Sequence, residues 1–145
     1  MLLTLDVGNT EITVGLFQGE ALAGHWRLTT NPDRTPDEWG TSLGAFLLHA
    51  GHSPNEVRAA IIASVAPGVT QSLLEAVRNL TGARVTVVDA SSPLPIRLDV
   101  EEPLSVGADR IINTLAAVER YRCDTVVVDF GTATTFDCIT ADGRF

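Results

Sequence analysis

Two segments of the chain share one pattern: LLTLDVGNTEITVG, from Leu2 to Gly15, and TVVVDFGTATTFDCI, from Thr125 to Ile139. Each is an apolar, β-like run that stops at an aspartate, Asp6 or Asp129. Each continues with one variable residue, a glycine, small hydroxyl or amide residues, and a second β-like run. A carboxylate that ends a buried strand lies at the edge of a sheet, where open α/β sheets usually hold ligands. The repeat therefore predicts two strand–turn–strand units with the same chemistry at the turn.

The residues between the repeats read as alternating strands and helices. MLLTLDV is a nearly continuous apolar run, as expected of a strand buried on both faces. EITVGLFQ is its hairpin partner, and Gln18-Gly19-Glu20 turns the chain into ALAGHWRLTT, a third strand. RTPDEWGTSLGAFLLHAG opens with helix-start chemistry: Thr35 as cap, Pro36 at the first helical position, and Glu38 placed for a capping box. Trp39, Leu43, Phe46 and Leu47 recur at helical spacing, and Gly51 is the predicted stop. AAIIASVAP is a fourth strand, GVTQSLLEAVRNLTG a second helix ended by Gly82, and RVTVVDA a fifth strand. SSPLPIRLDVEEP, with three prolines, is predicted to be an extended loop. SVGADRIINTLAAVERY is a third helix, capped by Ser105, with Ile111, Ile112, Leu115 and Val118 as its apolar stripe. The order implies a three-layer α/β domain with a mixed five-stranded sheet, followed by the opening hairpin of a duplicate. The expected divisions are 1–90 for the first domain, 91–122 for a substrate loop and linking helix, and 123–145 for the incomplete second domain.

Composition narrows the function classes. In 145 residues, 45% are apolar and 19% charged, a globular balance. A net charge of −8, without a basic run, opposes binding to nucleic acid or to an anionic membrane surface. No apolar run approaches the roughly 20 residues of a membrane span. Cys123 and Cys138 lack metal-type spacing and read as reduced thiols, so a cytoplasmic protein is expected. His25, His49 and His52 are scattered and read as structural, and Trp26 and Trp39 as core or semi-core residues.

The repeated turn suits a polyphosphate. Gly8 and Gly131 let the backbone approach a bulky anion. The amide and hydroxyl groups of Asn9, Thr10, Thr132, Thr134 and Thr135 supply donors. Asp6 and Asp129 repel phosphate directly and need a cation or its water shell in between. A lone Asp-x-Gly-x-Thr is ordinary hairpin chemistry. Two copies, each behind a buried strand, point to a divided nucleotide clasp. At the third helix start, Arg110 can form a two-pronged bond to a carboxylate, and Asp109 can take a proton from a hydroxyl that attacks a phosphoryl group. The alternative is that Asp109 complements the helix dipole and Arg110 is solvated.

DVGNT (Asp6–Thr10), ASVAP (Ala63–Pro67), PLSVGADR (Pro103–Arg110) and DFGTATTFD (Asp129–Asp137) occur in this order in type III pantothenate kinases. The chain resembles that family along its whole length, and RTPDEW resembles the start of the family's first helix. The resemblance implies the ribonuclease H-like fold of the acetate and sugar kinase, Hsp70 and actin superfamily. It also implies ATP-dependent phosphorylation of pantothenate to 4'-phosphopantothenate, the first step of coenzyme A biosynthesis. Asp6, Val7, Gly8, Asn9, Thr10, Glu11, Ile12 and Thr13 would hold ATP phosphates, joined by Thr132. Asp129 would bind a monovalent cation, potassium or ammonium, and magnesium would accompany ATP. Gly107, Ala108, Asp109 and Arg110 would bind pantothenate, with Asp109 as catalytic base. A homodimer is implied.

Two departures accompany the resemblance. Val100 stands where many members have a substrate-touching tyrosine. Family members also continue into a second domain that helps enclose adenine and carries the dimer helices. The chain, stopping at Phe145, is therefore expected to be a fragment or a reduced protein, with the hairpin edges as an association site. Two further readings remain: an inactive or truncated member that binds nucleotide or only self-associates, and a nuclease-like domain with Asp6 and Asp129 as divalent-metal ligands.

Overall fold

The computed structural model describes residues 1–145. The chain divides into two compact units, Met1–Val87 and Val88–Phe145.

The first unit is built on β1 (Leu2–Val7), β2 (Glu11–Gln18), β3 (Ala21–Thr29), β4 (Ala59–Ser64) and β5 (Arg84–Val88), with α1 (Pro36–His49) and α2 (Pro67–Thr81) in the connections. The sheet order is β3-β2-β1-β4-β5. β1 runs antiparallel to β2 and parallel to β4, which makes the sheet mixed, as the sequence predicts. Burial follows the two-residue period of strands. Leu3, Leu5 and Val7 of β1 are buried, Leu2 and Thr4 half-buried, and Asp6 exposed. The strand thus buries one face fully, where the apolar run suggests two.

Both helices begin and end as their sequences direct. The Thr35 side chain accepts from the Glu38 backbone N–H, while the Glu38 carboxylate accepts from the Thr35 N–H at 2.8 Å, a complete capping box with Pro36 in the first turn. Trp39, Leu43 and Leu47, four residues apart, are the buried stripe of α1. Phe46 instead stacks on the Trp26 ring, with centroids 5.3 Å apart. Val69, Leu73, Ala76 and Val77 form the buried stripe of α2, and Gly82 ends the helix at φ 64°, in the left-handed region where a β-carbon is unfavourable. These stripes and the inward residues of β1, β2 and β4 make one core. Each large apolar side chain in it contributes about 1.5–3 kcal/mol by leaving water.

The second unit holds a loop, a 3₁₀ turn (Pro103–Ser105), α3 (Ala108–Tyr121), and the antiparallel pair β6 (Thr125–Phe130) and β7 (Thr134–Ile139). α3 packs on one face of this hairpin and buries Ala108, Ile111, Thr114 and Ala117. The opposite face leaves Val126, Val128, Phe130 and Phe136 exposed.

Two expectations are corrected here. The cap of α3 is Gly107, not Ser105. Ser105 ends the 3₁₀ turn two residues before that cap, with its hydroxyl donating to the Glu102 carbonyl at 2.7 Å. The apolar stripe of α3 is shifted as well: of Ile111, Ile112, Leu115 and Val118 only Ile111 is buried, and it shares its face with Ala108, Thr114 and Ala117. The proline-rich segment is a loop, as expected, and backbone bonds tie it down. Arg97 N–H donates to Gly143 O at 2.8 Å, Phe145 N–H to Arg97 O at 2.9 Å, and Asp99 N–H to Phe145 O at 2.9 Å. This ladder ties the loop to the last residues of the chain. No helix is long and apolar enough to cross a membrane. Both cysteines are unpaired and exposed.

Candidate functional site

The turn between β1 and β2 is fixed from three directions. Gly8 N–H donates to Glu11 O at 3.0 Å inside the turn. From the end of β3, the Thr30 hydroxyl donates to Gly8 O at 2.7 Å and the Thr30 N–H to Thr10 O at 2.9 Å. From the end of β4, Val65 N–H donates to Val7 O at 2.9 Å. That last bond sets the Ser64–Pro67 connection and the start of α2 beside the carboxyl end of β1. The Ser64 hydroxyl orders this corner, accepting from Ala66 N–H at 3.1 Å and from the Thr70 hydroxyl at 2.7 Å.

The side chains of Asp6, Asn9, Thr10, Glu11 and Thr13 are exposed at this edge. Register sets Asp6 opposite Thr13 on one side and Ala63 on the other. Val7 and Ile12 point into the core at 0% exposure, so they can offer a ligand only backbone groups. A β-carbon on Gly8 would meet Glu11 O at 3.0 Å, closer than ordinary contact. A larger residue here would have to push the Glu11 carbonyl back by a few tenths of an ångström.

The second turn reproduces this plan in the other unit. Asp129 stands opposite Thr135, as Asp6 stands opposite Thr13. Gly131 N–H donates to Ala133 O at 3.1 Å. Thr132 and Thr134 are exposed, while Asp129 and Thr135 are half-buried on the hairpin face that α3 covers.

The start of α3 gathers charge. Gly107, Asp109 and Arg110 are half-buried and Ala108 is buried. Asp109 Oδ1 accepts the Arg110 backbone N–H at 2.7 Å, a carboxylate in the favourable position at a helix N-terminus. The Arg110 guanidinium reaches β7: its Nε–H donates to Asp137 Oδ1 at 2.8 Å, and Nη2 donates to the same oxygen. The Phe145 ring lies 4.6 Å from the guanidinium carbon, a cation–π contact. Asp137 is 1% exposed, and its Oδ2 is buried without a hydrogen-bond partner. An unpaired buried acceptor of this kind costs about 1–3 kcal/mol, more when charged. Val100 is exposed and follows Asp99, the last rung of the loop's ladder to Phe145.

The donors offered by the two turns are carboxylate, hydroxyl, amide and carbonyl oxygens. These are hard ligands, suited to magnesium or an alkali cation rather than to thiophilic metals. No group of three or more His, Cys, Asp or Glu side chains converges. A cation at either turn would take much of its shell from phosphate oxygens, backbone carbonyls and water.

The family model of type III pantothenate kinases matches residues 2–145. The chain belongs to that family. The type III pantothenate kinase of Thermomicrobium roseum is 45% identical over all of this chain, and that of Geobacter sulfurreducens 41%. The chain spans 56% and 57% of their respective lengths, so roughly half of each relative has a counterpart here. Among solved structures, a ROK hexokinase from Thermus thermophilus superposes with a TM-score of 0.54 at 16% identity, covering 98% of this chain and 46% of its own. A reductive activator for corrinoid, iron-sulfur protein gives 0.56 at 13% identity, covering 97% and 29%. These two likenesses establish the fold. Family membership sets the nuclease alternative aside.

Within each unit the structure brings together what the sequence joins. Asp6 through Thr13 form one edge, Asp129 and Thr132 belong to the second turn, and Gly107 through Arg110 form one helix start. Sequence reasoning missed Asp137 and Phe145, the two residues that hold Arg110. The sequence carries no clear signal for Asp137: Phe136 and Cys138 suggest the opposite face of β7 as the apolar one, yet Asp137 and Ile139 are the buried residues.

Proposed function

We propose that the chain carries the nucleotide- and substrate-binding half of a type III pantothenate kinase and transfers the γ-phosphoryl group of ATP to pantothenate. What supports this reading most is one observation: a carboxylate, Asp109, and a guanidinium, Arg110, stand side by side on the start of α3, in a chain of this family. In the reading, Arg110 takes the carboxylate of pantothenate and Gly107 and Ala108 line the same subsite, with Val100 on the adjoining loop. Asp109 accepts the proton of the primary hydroxyl as its oxygen bonds to phosphorus and the bond to ADP breaks. Asp6 to Thr13 hold the phosphates through backbone N–H groups and exposed hydroxyls, and Thr132 adds a donor from the second turn. Asp129 would hold potassium or ammonium, which, with the magnesium that accompanies ATP, would offset the charge of the phosphates. The enzyme would act as a homodimer in the cytoplasm.

The test is ADP release that depends on both pantothenate and potassium or ammonium. Asp109→Asn is expected to lower it about 10²–10⁴-fold, the usual worth of a general base. ADP release that ignores pantothenate, or survives Asp109→Asn, would overturn the assignment.

A further inference from the structure

We infer that Asp137 is a positioning residue for substrate recognition, aiming Arg110 so that its outer N–H pair meets a carboxylate. The inference rests on the proposed role of Arg110 in binding pantothenate. Its observations lie within the second unit, on α3, β7 and the last residue of the chain.

An arginine offers five N–H donors along two useful edges: the side edge of Nε and Nη2, and the end fork of Nη1 and Nη2. Asp137 occupies the side edge alone. A single oxygen, Oδ1, receives both Nε–H and Nη2, so the carboxylate grips the guanidinium without reaching its end fork. Phe145 lies over one face of the guanidinium. Edge and face are both fixed, and the end fork has the geometry for two parallel bonds to an incoming carboxylate. The Arg110 side chain remains 38% exposed while Asp137 is buried, so the pair has a fixed end and an accessible end.

The pairing also bears on selectivity. Asp137 offsets the charge of Arg110, which weakens its pull on anions in general. What remains is directional: a planar fork that rewards a planar, two-oxygen ligand. A group that can accept only one bond gains little. The orphaned Oδ2 shows that Asp137 is not placed for a balanced, two-oxygen ion pair.

The experiment compares pantothenate with pantothenol, in which an alcohol replaces the carboxylate, by calorimetric titration of the 145-residue chain. Asp137→Ala is expected to weaken pantothenate binding about ten- to a hundredfold and leave pantothenol binding unchanged. Asp137→Asn retains an acceptor oxygen and should recover part of the loss. The Arg110 Nε–H resonance, protected from exchange in the parent chain, should lose protection in Asp137→Ala. Equal losses for both ligands would mean a structural role only and would overturn the inference. So would an Asp137→Ala chain that binds pantothenate normally while Arg110→Gln does not; the proposed function would then stand. A parent chain that does not bind pantothenate, or an Arg110→Gln chain that binds it as well as the parent, breaks the proposed function and the inference with it.

Discussion

The β1–β2 and β6–β7 hairpins begin from nearly the same words, Asp-Val-Gly and Asp-Phe-Gly, and reach different physical states. Both set the aspartate opposite a threonine and close the turn with a glycine N–H. The residue after the aspartate shows the contrast: Val7 is 0% exposed and Phe130 is 83% exposed. β1 and β2 are flanked by β4 and β3 in a five-stranded sheet, whereas β6 and β7 pair only with each other and meet α3 on one face. The motif thus sets an aspartate opposite a threonine, while the turns differ by one residue: Gly8 N–H bonds three residues on, to Glu11 O, and Gly131 N–H two residues on, to Ala133 O. The neighbours dictate how much burial stabilises each hairpin. A two-stranded hairpin is marginal by itself, and this one is covered on one face by α3.

The sharpest way to break this comparison is to truncate an apolar side chain in each hairpin. Leu5→Ala removes a side chain 2% exposed and should cost about 2–5 kcal/mol in urea unfolding. Phe136→Ala, on the bare face of β7 at 66% exposure, should fall within about 0.5 kcal/mol of the parent. Similar losses at both sites would mean that the outer face of β6–β7 is covered in solution. Hydrogen exchange provides the same contrast without mutation. The β1 amides should open only with the whole first unit, and those of β7 through smaller local events.

Much of this contrast was legible in the sequence, and its gaps have physical causes. Local rules located every strand and α-helix, because caps, left-handed glycines and apolar periodicity are decided within a few residues, but they missed both 3₁₀ turns and set the stripe of α3 one position off. Thr35, Pro36, Glu38 and Gly82 perform as their types predict. Ser105 did not, because it belongs to the 3₁₀ turn Pro103–Ser105 and the helix starts two residues later, at Gly107. The ladder between Arg97–Asp99 and Gly143–Phe145 was invisible, since its bonds run between backbone groups that any residue carries. At the candidate site, the types and spacing of Asp6, Asp129, Asp109 and Arg110 were readable. The hold of Asp137 on Arg110 was not, because it spans 27 residues and depends on how α3 lies over the hairpin.

A smaller effect separates the two glycines. A β-carbon at Gly8 would press on Glu11 O at 3.0 Å, the acceptor of Gly8's own N–H, whereas at Gly131 the nearest atom is Ala133 O at 3.6 Å, an ordinary contact. Neither glycine has a positive φ, so the difference is one of space and not of backbone strain. Gly8→Ala should therefore cost about 1 kcal/mol through the strained turn bond, and Gly131→Ala less than about half of that. If the two alanines cost the same, the turns are not distinguished by packing.

The smallest expected effect lies just beyond β7, where Thr140, Asp142 and Arg144 form a turn that the first hairpin does not have. Hydrogen bonding from the Thr140 hydroxyl, with Arg144 adding to it against an opposing desolvation, holds the Asp142 carboxyl below the usual aspartate range. A carboxyl lowered by folding binds its proton more weakly in the folded than in the unfolded chain. Its contribution is therefore complete above the unfolded value, near 3.9, and fades as pH falls through the folded one. Carbon-detected NMR should show Asp142 titrating below ordinary aspartate, and Thr140→Val should move the midpoint upward. Asp142→Asn should remove the same acid-dependent part of the stability of the second unit and leave the β1–β2 hairpin untouched. A midpoint that ignores Thr140→Val would mean that this turn is open in solution, and that β6–β7 ends without the support its hydrogen bonds imply.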